Sequence, residues 1–166
     1  MVALVGILAV LSMYSVRRYI NNSKTAEAYN SLGRIGKDAA MAFDKGSNTG
    51  NVMHQGTSSA SEDHLCASAT ATVPDSISKV KGQKYQSSQA DWEADKSSNA
   101  GFTCLKFSMQ LPQYFVYSYQ SDATSFTSTA NADLNGDGLI SSFQIVGSVR
   151  NDTVFVAPSI TVIAAP

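Results

Sequence analysis

Three oxygen-bearing side chains stand at alternate positions in the segment DLNGDG, residues 133–138. The spacing matches the first half of a calcium loop, in which Asp133, Asn135 and Asp137 supply oxygen ligands and a glycine permits the sharp turn. The twelfth position is Gln144 instead of a bidentate glutamate, so the motif is incomplete. Asn-Gly between strands also predicts a hairpin, and we favour a bare turn, with calcium as the alternative.

Two cysteines, Cys66 and Cys104, make an even count. Because the apolar start of the chain indicates export, we predict that they form a disulfide outside the cytoplasm. Two buried free thiols are the alternative. A zinc site is a weaker one: His64 lies close to Cys66, but His54 is the only other histidine and no Cys-x-x-Cys pair is present.

Catalytic chemistry finds little support in the sequence. Ser76 and Lys79 match the Ser-x-x-Lys pattern of penicillin-recognising enzymes, yet no Lys-Thr-Gly follows. Without a nucleophile, a base and an orienting group in a recognisable pattern, we expect no enzyme and no cofactor beyond the calcium alternative. The net charge is -1 and the basic residues are scattered, so we expect no nucleic-acid partner.

The first sixteen residues of the chain carry no charged side chain and are followed directly by Arg17 and Arg18. No proline follows before residue 45, and we predict one helix from Met1 to Lys45. A helix that is apolar on all sides needs a bilayer or other copies of itself around it. Sixteen helical residues reach only about 24 Å against roughly 30 Å of hydrocarbon, so we expect further residues upstream. The residues expected to insert and assemble are Val2, Leu4, Val5, Ile7, Leu8, Val10 and Leu11.

After Arg18 the pattern changes to a single apolar stripe with spacings of three and four, which predicts that one face packs on a domain. Its members are Ala28, Leu32, Ile35, Ala39 and Phe43. We therefore divide the chain into a protruding helix, residues 1–22, and a globular head, residues 23–166. Within the head we expect a half-helix at 23–45, an irregular region at 46–103 anchored by Trp92, and a sheet at 104–166.

The C-terminal part alternates apolar and polar residues, which is typical of strands with one buried face. The alternating sets are Leu105, Phe107 and Met109, then Phe115, Tyr117 and Tyr119, then Phe143, Ile145 and Val149, and finally Val154 and Val156. Turn-forming residues separate them and predict an antiparallel meander of four or five strands. The expected class is α+β, a long N-terminal helix whose C-terminal half packs on an antiparallel sheet.

Several segments resemble type IV pilins. GILAVLSMY at residues 6–14, Arg17-Arg18-Tyr19 and SKTAEAYNSLGRIGKDAAMAF at residues 23–43 are similar to the N-terminal helix of that family. KYQSSQADW, FTCLKFSMQLPQYFVYSY and ADLNGDGLISSFQIVGSV resemble the heads of major-type pilins from myxobacteria and related bacteria. The resemblance covers nearly the whole chain and implies the pilin fold.

The resemblance implies a filament subunit that serves adhesion or motility on the surface of a Gram-negative-type bacterium. Its partners would be other copies of itself and, before polymerisation, inner-membrane lipid and the pilus assembly machinery. Family members have a leader that is removed, a methylated N-terminus and a nearby acidic residue, none of which can be assigned to a position here. A pseudopilin of a type II secretion system and a membrane-tethered calcium-binding module are the alternatives.

Overall fold

The computed structural model describes residues 2–45 and 64–165 and has the predicted α+β class. Helix α1 (Val2–Asp44) comes first. A 3₁₀ helix (Ile77–Val80) and two short helices, α2 (Gln89–Trp92) and α3 (Gly101–Leu105), follow it. The strands are β1 (Val116–Ser121), β2 (Ser125–Ala132), β3 (Ser141–Arg150), β4 (Thr153–Val156) and β5 (Thr161–Ala164).

Helix α1 is continuous over 43 residues, as the lack of proline predicts. Its last turn is closed by the Lys45 amide, which donates to the Met41 carbonyl at 3.3 Å. The predicted apolar stripe is confirmed, because all five of its members are buried against the head: Ala28, Leu32, Ile35, Ala39 and Phe43. The glycines expected after residue 45 lie outside the described residues.

The sheet is antiparallel and runs in the order β1-β2-β3-β4, with β5 also paired to β3. Strand β4 pairs with the second half of β3, Gly147 to Arg150, whereas β5 pairs with its beginning, Ser142 to Gln144. The two short strands therefore lie end to end along one edge of β3. Pro158 falls in the interruption between them, where its missing N–H cannot contribute to a ladder. The result is a meander with a broken edge strand.

Two parts of the sheet region differ from the sequence prediction. The alternation through Leu105 and Phe107 does not form a strand, because Leu105 ends α3 and Lys106 follows in the left-handed conformation at φ 57°. The sheet accordingly begins at Val116 and not near residue 104. Strand β2 has a weak apolar signal, since its buried face carries Phe126 and otherwise only small residues, namely Ser128, Ala130 and Ala132.

The predicted disulfide is confirmed. Cys66 and Cys104 are bonded with an S–S distance of 2.00 Å and lie 38 positions apart in sequence. Beside it the buried Trp92 packs edge-on against Phe102 and Phe107, with ring centroids 5.0 and 5.3 Å apart. The indole N–H donates to Ser87 Oγ at 2.9 Å, so its polar atom is satisfied in the core. Trp92 thus anchors the irregular region, as expected.

The predicted turns join the strands. Asn151 and Asp152 both have positive φ, 50° and 55°, and connect β3 to β4 as a two-residue hairpin. Asp122 accepts hydrogen bonds from the Thr124 and Ser125 amides between β1 and β2. These bonds, first of all the one from the Thr124 amide, lower the pKa of Asp122 to about 2.

Gly147 provides a test of side-chain packing between β3 and β2. A methyl group on its Cα would overlap the Phe126 ring, which stacks on Tyr119 at 5.7 Å. We expect Gly147→Ala to lower the free energy of unfolding by about 1 to 3 kcal/mol, the usual cost of overpacking. Urea denaturation measures it, with Val146→Ala on the exposed side of the same strand as the control. Equal stability of the two variants would contradict the packing described.

The disulfide provides a second test. Closing a loop of this length stabilises the fold by about 4 kcal/mol in the chain-entropy model. We expect the double variant Cys66→Ser, Cys104→Ser to lose roughly that free energy of unfolding under oxidising conditions. The control is the original chain in reducing buffer, which should match the double variant. A chain whose urea midpoint is the same in both buffers would show that the bond does not form.

Candidate functional site

The first part of α1 precedes the stripe that is buried on the head. Its described side chains are open to solvent, with exposed fractions of 60% for Ile7, 55% for Val16 and 76% for Tyr19. Among the described side chains of α1, Lys24 is the first that makes a hydrogen bond to the head. We call residues 2–22 the arm, and its helical backbone is about 30 Å long at 1.5 Å per residue.

The residues predicted to insert and assemble all lie on this arm. The backbone of all seven is helical. Ile7 is exposed, while the side chains of Val2, Leu4, Val5, Leu8, Val10 and Leu11 lie outside the described part of the structure. Within the described ranges, no helix combines the length and the hydropathy needed to cross a bilayer.

Glu27 fastens α1 to the head at the base of the arm. The Tyr114 amide donates to its two carboxylate oxygens at 2.9 and 3.2 Å. The buried Tyr117 hydroxyl donates to Oε1 at 3.1 Å. Since hydrogen bonds to a charged group contribute about 1.5 to 3 kcal/mol each, this carboxylate links the helix firmly to the start of β1. In the sequence Glu27 directly precedes Ala28, the first stripe residue, and no local pattern indicates its partners.

Burial of the Glu27 side chain changes its acid–base behaviour and that of its neighbour. Loss of water raises the pKa of Glu27 above its ordinary value, although hydrogen bonds from Tyr114 and Tyr117 and the charge of Lys84 act in the opposite direction. Burial, followed by the adjacent Glu27 carboxylate, raises the pKa of Tyr117 well above its ordinary value. Tyr117 is therefore a neutral hydrogen-bond donor at all physiological pH values.

A cleft of about 380 Å³ opens beside Glu27 at the base of the arm. Lys24 and Lys84 both approach the Tyr114 ring, with their ammonium nitrogens 5.1 and 4.9 Å from its centroid. Lys24 also donates to the Leu134 carbonyl at 2.6 Å, which ties α1 to the loop between β2 and β3. The cleft wall is completed by Tyr19, Ile20 and Ser23. Two cations and an aromatic ring thus surround the point where the arm leaves the head.

The calcium candidate is the loop that joins β2 to β3. The two carboxylate oxygens of Asp133 accept the amides of Gly136 and Gly138 at 2.7 and 3.0 Å. Those of Asp137 accept the Leu139 amide at 2.8 Å and the Asn135 side-chain amide at 2.8 Å. Each oxygen keeps a second lone pair, so these bonds are compatible with a bare turn and with a cation. The calcium site stays a prediction.

The other chemical motifs have structural roles. Cys66 is in the disulfide, so it cannot supply a thiolate for the zinc alternative with His64. His54 lies outside the described residues. Ser76 is the N-cap of the 3₁₀ helix, where its hydroxyl accepts the Ser78 amide, and Lys79 pairs with Asp75 at 2.8 Å. Among the residues described, no cluster of three or more His, Cys, Asp or Glu side chains is arranged for a metal ion.

Comparison of the chain with protein-family models, with curated proteins and with solved structures gives no match.

The raised pKa of Glu27 predicts the direction in which the free energy of unfolding changes with pH. Its pKa is raised in the folded state above 4.5, so the folded chain binds this proton more tightly than the unfolded chain. Relative to Glu27→Gln, we expect the free energy of unfolding of the unsubstituted chain to rise as the pH falls through the raised pKa, and to level off below 4.5.

Urea denaturation across this pH range measures the difference between the two chains. Taking that difference removes the contribution of Asp122, whose lowered pKa is common to both. A difference that stays constant with pH, or that shrinks on acidification, would contradict the buried position of Glu27.

Proposed function

We propose that this chain is the structural subunit of a type IV pilus filament, which polymerises through its apolar arm and serves adhesion or motility. The observation that carries the proposal is the division of one unbroken helix: residues 28–43 bury an apolar stripe on the head, while the arm presents apolar side chains such as Ile7 and Val16 to solvent. The resemblance of the arm and the head to pilin segments supports the same conclusion.

The energy of burial explains why such an arm would not stay dispersed in water. If each of ten apolar residues buries about 100 Å², roughly 25 cal/mol per Å² amounts to about 25 kcal/mol relative to water, before the entropy of association is subtracted. Lipid would surround the arm before assembly, and the arms of other subunits would bury it afterwards. The arm thus exchanges one apolar environment for another.

The shape of the subunit favours an open polymer over a closed oligomer. An arm at one end of the molecule contacts a neighbour through a surface different from the one that the neighbour offers in return. Such heterologous contacts generate helical filaments when the rotation between subunits does not close. The low charge content, 15% Asp, Glu, Lys and Arg, lets identical subunits lie side by side without strong repulsion.

A charge within the arm tests the proposal. We expect Leu8→Lys or Val5→Lys to abolish filaments, because an ammonium group inside a core of packed arms would be buried without a partner. The head should keep its fold, as judged by circular dichroism and an intact disulfide. Electron microscopy of material sheared from cells is the measurement, with Gln120→Lys on the exposed side of β1 as the control.

Long filaments that carry Leu8→Lys would overturn the assignment of the arm to the filament core. Long fibres of the unsubstituted chain support a pilin, whereas short fibres associated with a secretion complex support the pseudopilin alternative. A monomer that stays with the membrane under all conditions would overturn both.

A further inference from the structure

Exposed apolar and basic side chains gather at the end of the head from which the arm emerges. We call this surface the stem face. Its apolar members come from α1, from the loop between β2 and β3, and from β5. They are Tyr19, Ile20, Leu139, Ile140 and Ile163, all exposed.

Three contacts place these elements side by side. The Lys24 ammonium donates to the Leu134 carbonyl at 2.6 Å, which brings α1 to the loop between β2 and β3. The Gly82 amide donates to the Asp133 carbonyl at 2.7 Å, which brings the segment after the 3₁₀ helix to the same loop. Strand β5 ends at Ala164 opposite Ser142, so its last residues lie where β3 starts, next to that loop.

The basic residues of the stem face are Lys24, Lys81 and Lys84. Lys24 and Lys84 border the cleft beside the arm, and the exposed Lys81 is adjacent to the tethered Gly82. In the sequence, Arg17 and Arg18 stand two positions and one position before Tyr19 and add two further positive charges to this part of the chain.

Three carboxylates, those of Glu27, Asp133 and Asp137, lie near these cations. Glu27 is partly buried, with its carboxylate oxygens occupied by Tyr114 and Tyr117, and Asp133 is buried with both oxygens accepting amides. Asp137 is the exposed acid of the loop, and Asp75 is paired with Lys79. The charges of these three carboxylates balance those of Lys24, Lys81 and Lys84, so the excess of positive charge at the base of the arm comes from Arg17 and Arg18, next to the exposed apolar side chains.

We propose that the stem face rests on the surface of an anionic phospholipid bilayer while the arm is inserted in it. This inference deepens the proposed function and rests on it, because it describes the subunit before polymerisation. Lysines close to an anionic membrane surface each contribute about fivefold to partitioning. A tyrosine beside them prefers the level of the headgroups, and aliphatic side chains insert at the boundary between headgroups and acyl chains. Charge complementarity and continuity with the apolar arm both select lipid as the partner.

Binding to vesicles is not a sufficient test, because the inserted arm alone would bind the chain to them. The experiment therefore measures contact between the head itself and the lipid. A tryptophan at Leu139→Trp samples the stem face, and one at Ala123→Trp samples the turn between β1 and β2, at the opposite end of the strands. The native tryptophan, Trp92, is buried and serves as an internal reference. The full chain is reconstituted in vesicles that contain a headgroup-linked quencher, either in phosphatidylcholine alone or with about a third phosphatidylglycerol.

We expect quenching of the tryptophan at position 139 in phosphatidylglycerol vesicles, at least about twofold weaker quenching in phosphatidylcholine, and none at position 123. Adding Lys81→Glu and Lys84→Glu should reduce the quenching at 139 to the phosphatidylcholine level. The matched pair Lys37→Glu and Lys96→Glu changes the net charge equally at exposed positions away from the stem face and should leave the quenching unchanged.

The outcomes separate the two proposals. A chain that floats with vesicles but shows equal quenching at 139 and 123, or equal quenching in both lipids, overturns the stem-face inference and leaves the filament proposal in place. A blue shift at 139 that depends on protein concentration and not on lipid assigns the surface to a second copy of the chain and also overturns the inference. A chain that does not associate with either vesicle overturns the proposed membrane stage itself.

Discussion

The burial of one stripe of α1 against the sheet is the interaction on which the rest of the structure depends. Leu32, Ile35 and Phe43 each contribute about 1.5 to 3 kcal/mol by leaving water, and the smaller Ala28 and Ala39 let the helix approach the strands closely. Because the helix has no break, the stripe also sets the direction in which the arm leaves the head. Packing in the head thus determines what the arm presents to its surroundings.

The base of the arm combines this packing with polar chemistry. Glu27 is held by Tyr114 and Tyr117 at a position where burial disfavours its charge, so the hydrogen bonds offset part of the desolvation cost. Lys24 adds a second tether to the loop between β2 and β3. Glu27 and Lys24 thus fix the position of the helix along its axis relative to β1 and to the loop between β2 and β3.

Different parts of the head rely on different stabilising forces. The strands bury their inner side chains against α1, whereas the irregular region after residue 64 lacks long elements and depends on the Cys66–Cys104 bond and on the aromatic rings around Trp92. A disulfide of this kind persists outside the cytoplasm, in agreement with a subunit that would function at the cell surface. The proposed filament would then need only the arm for polymerisation and the head for a stable surface.

The sequence by itself determined the elements whose side chains repeat with a clear period: the stripe of α1, the alternation in β1 and β3, the Asn151-Asp152 turn, and the pairing of two cysteines. Tertiary structure alone decided that β2 joins the sheet despite its small residues, that Leu105 ends a helix, and that Pro158 divides the edge strand. It also decided which groups meet Glu27 and which residues form the stem face. The periodicity of a segment predicts which of its faces is buried. The residues that contact this face come from distant segments, as Tyr114 does for Glu27, and no local pattern predicts them.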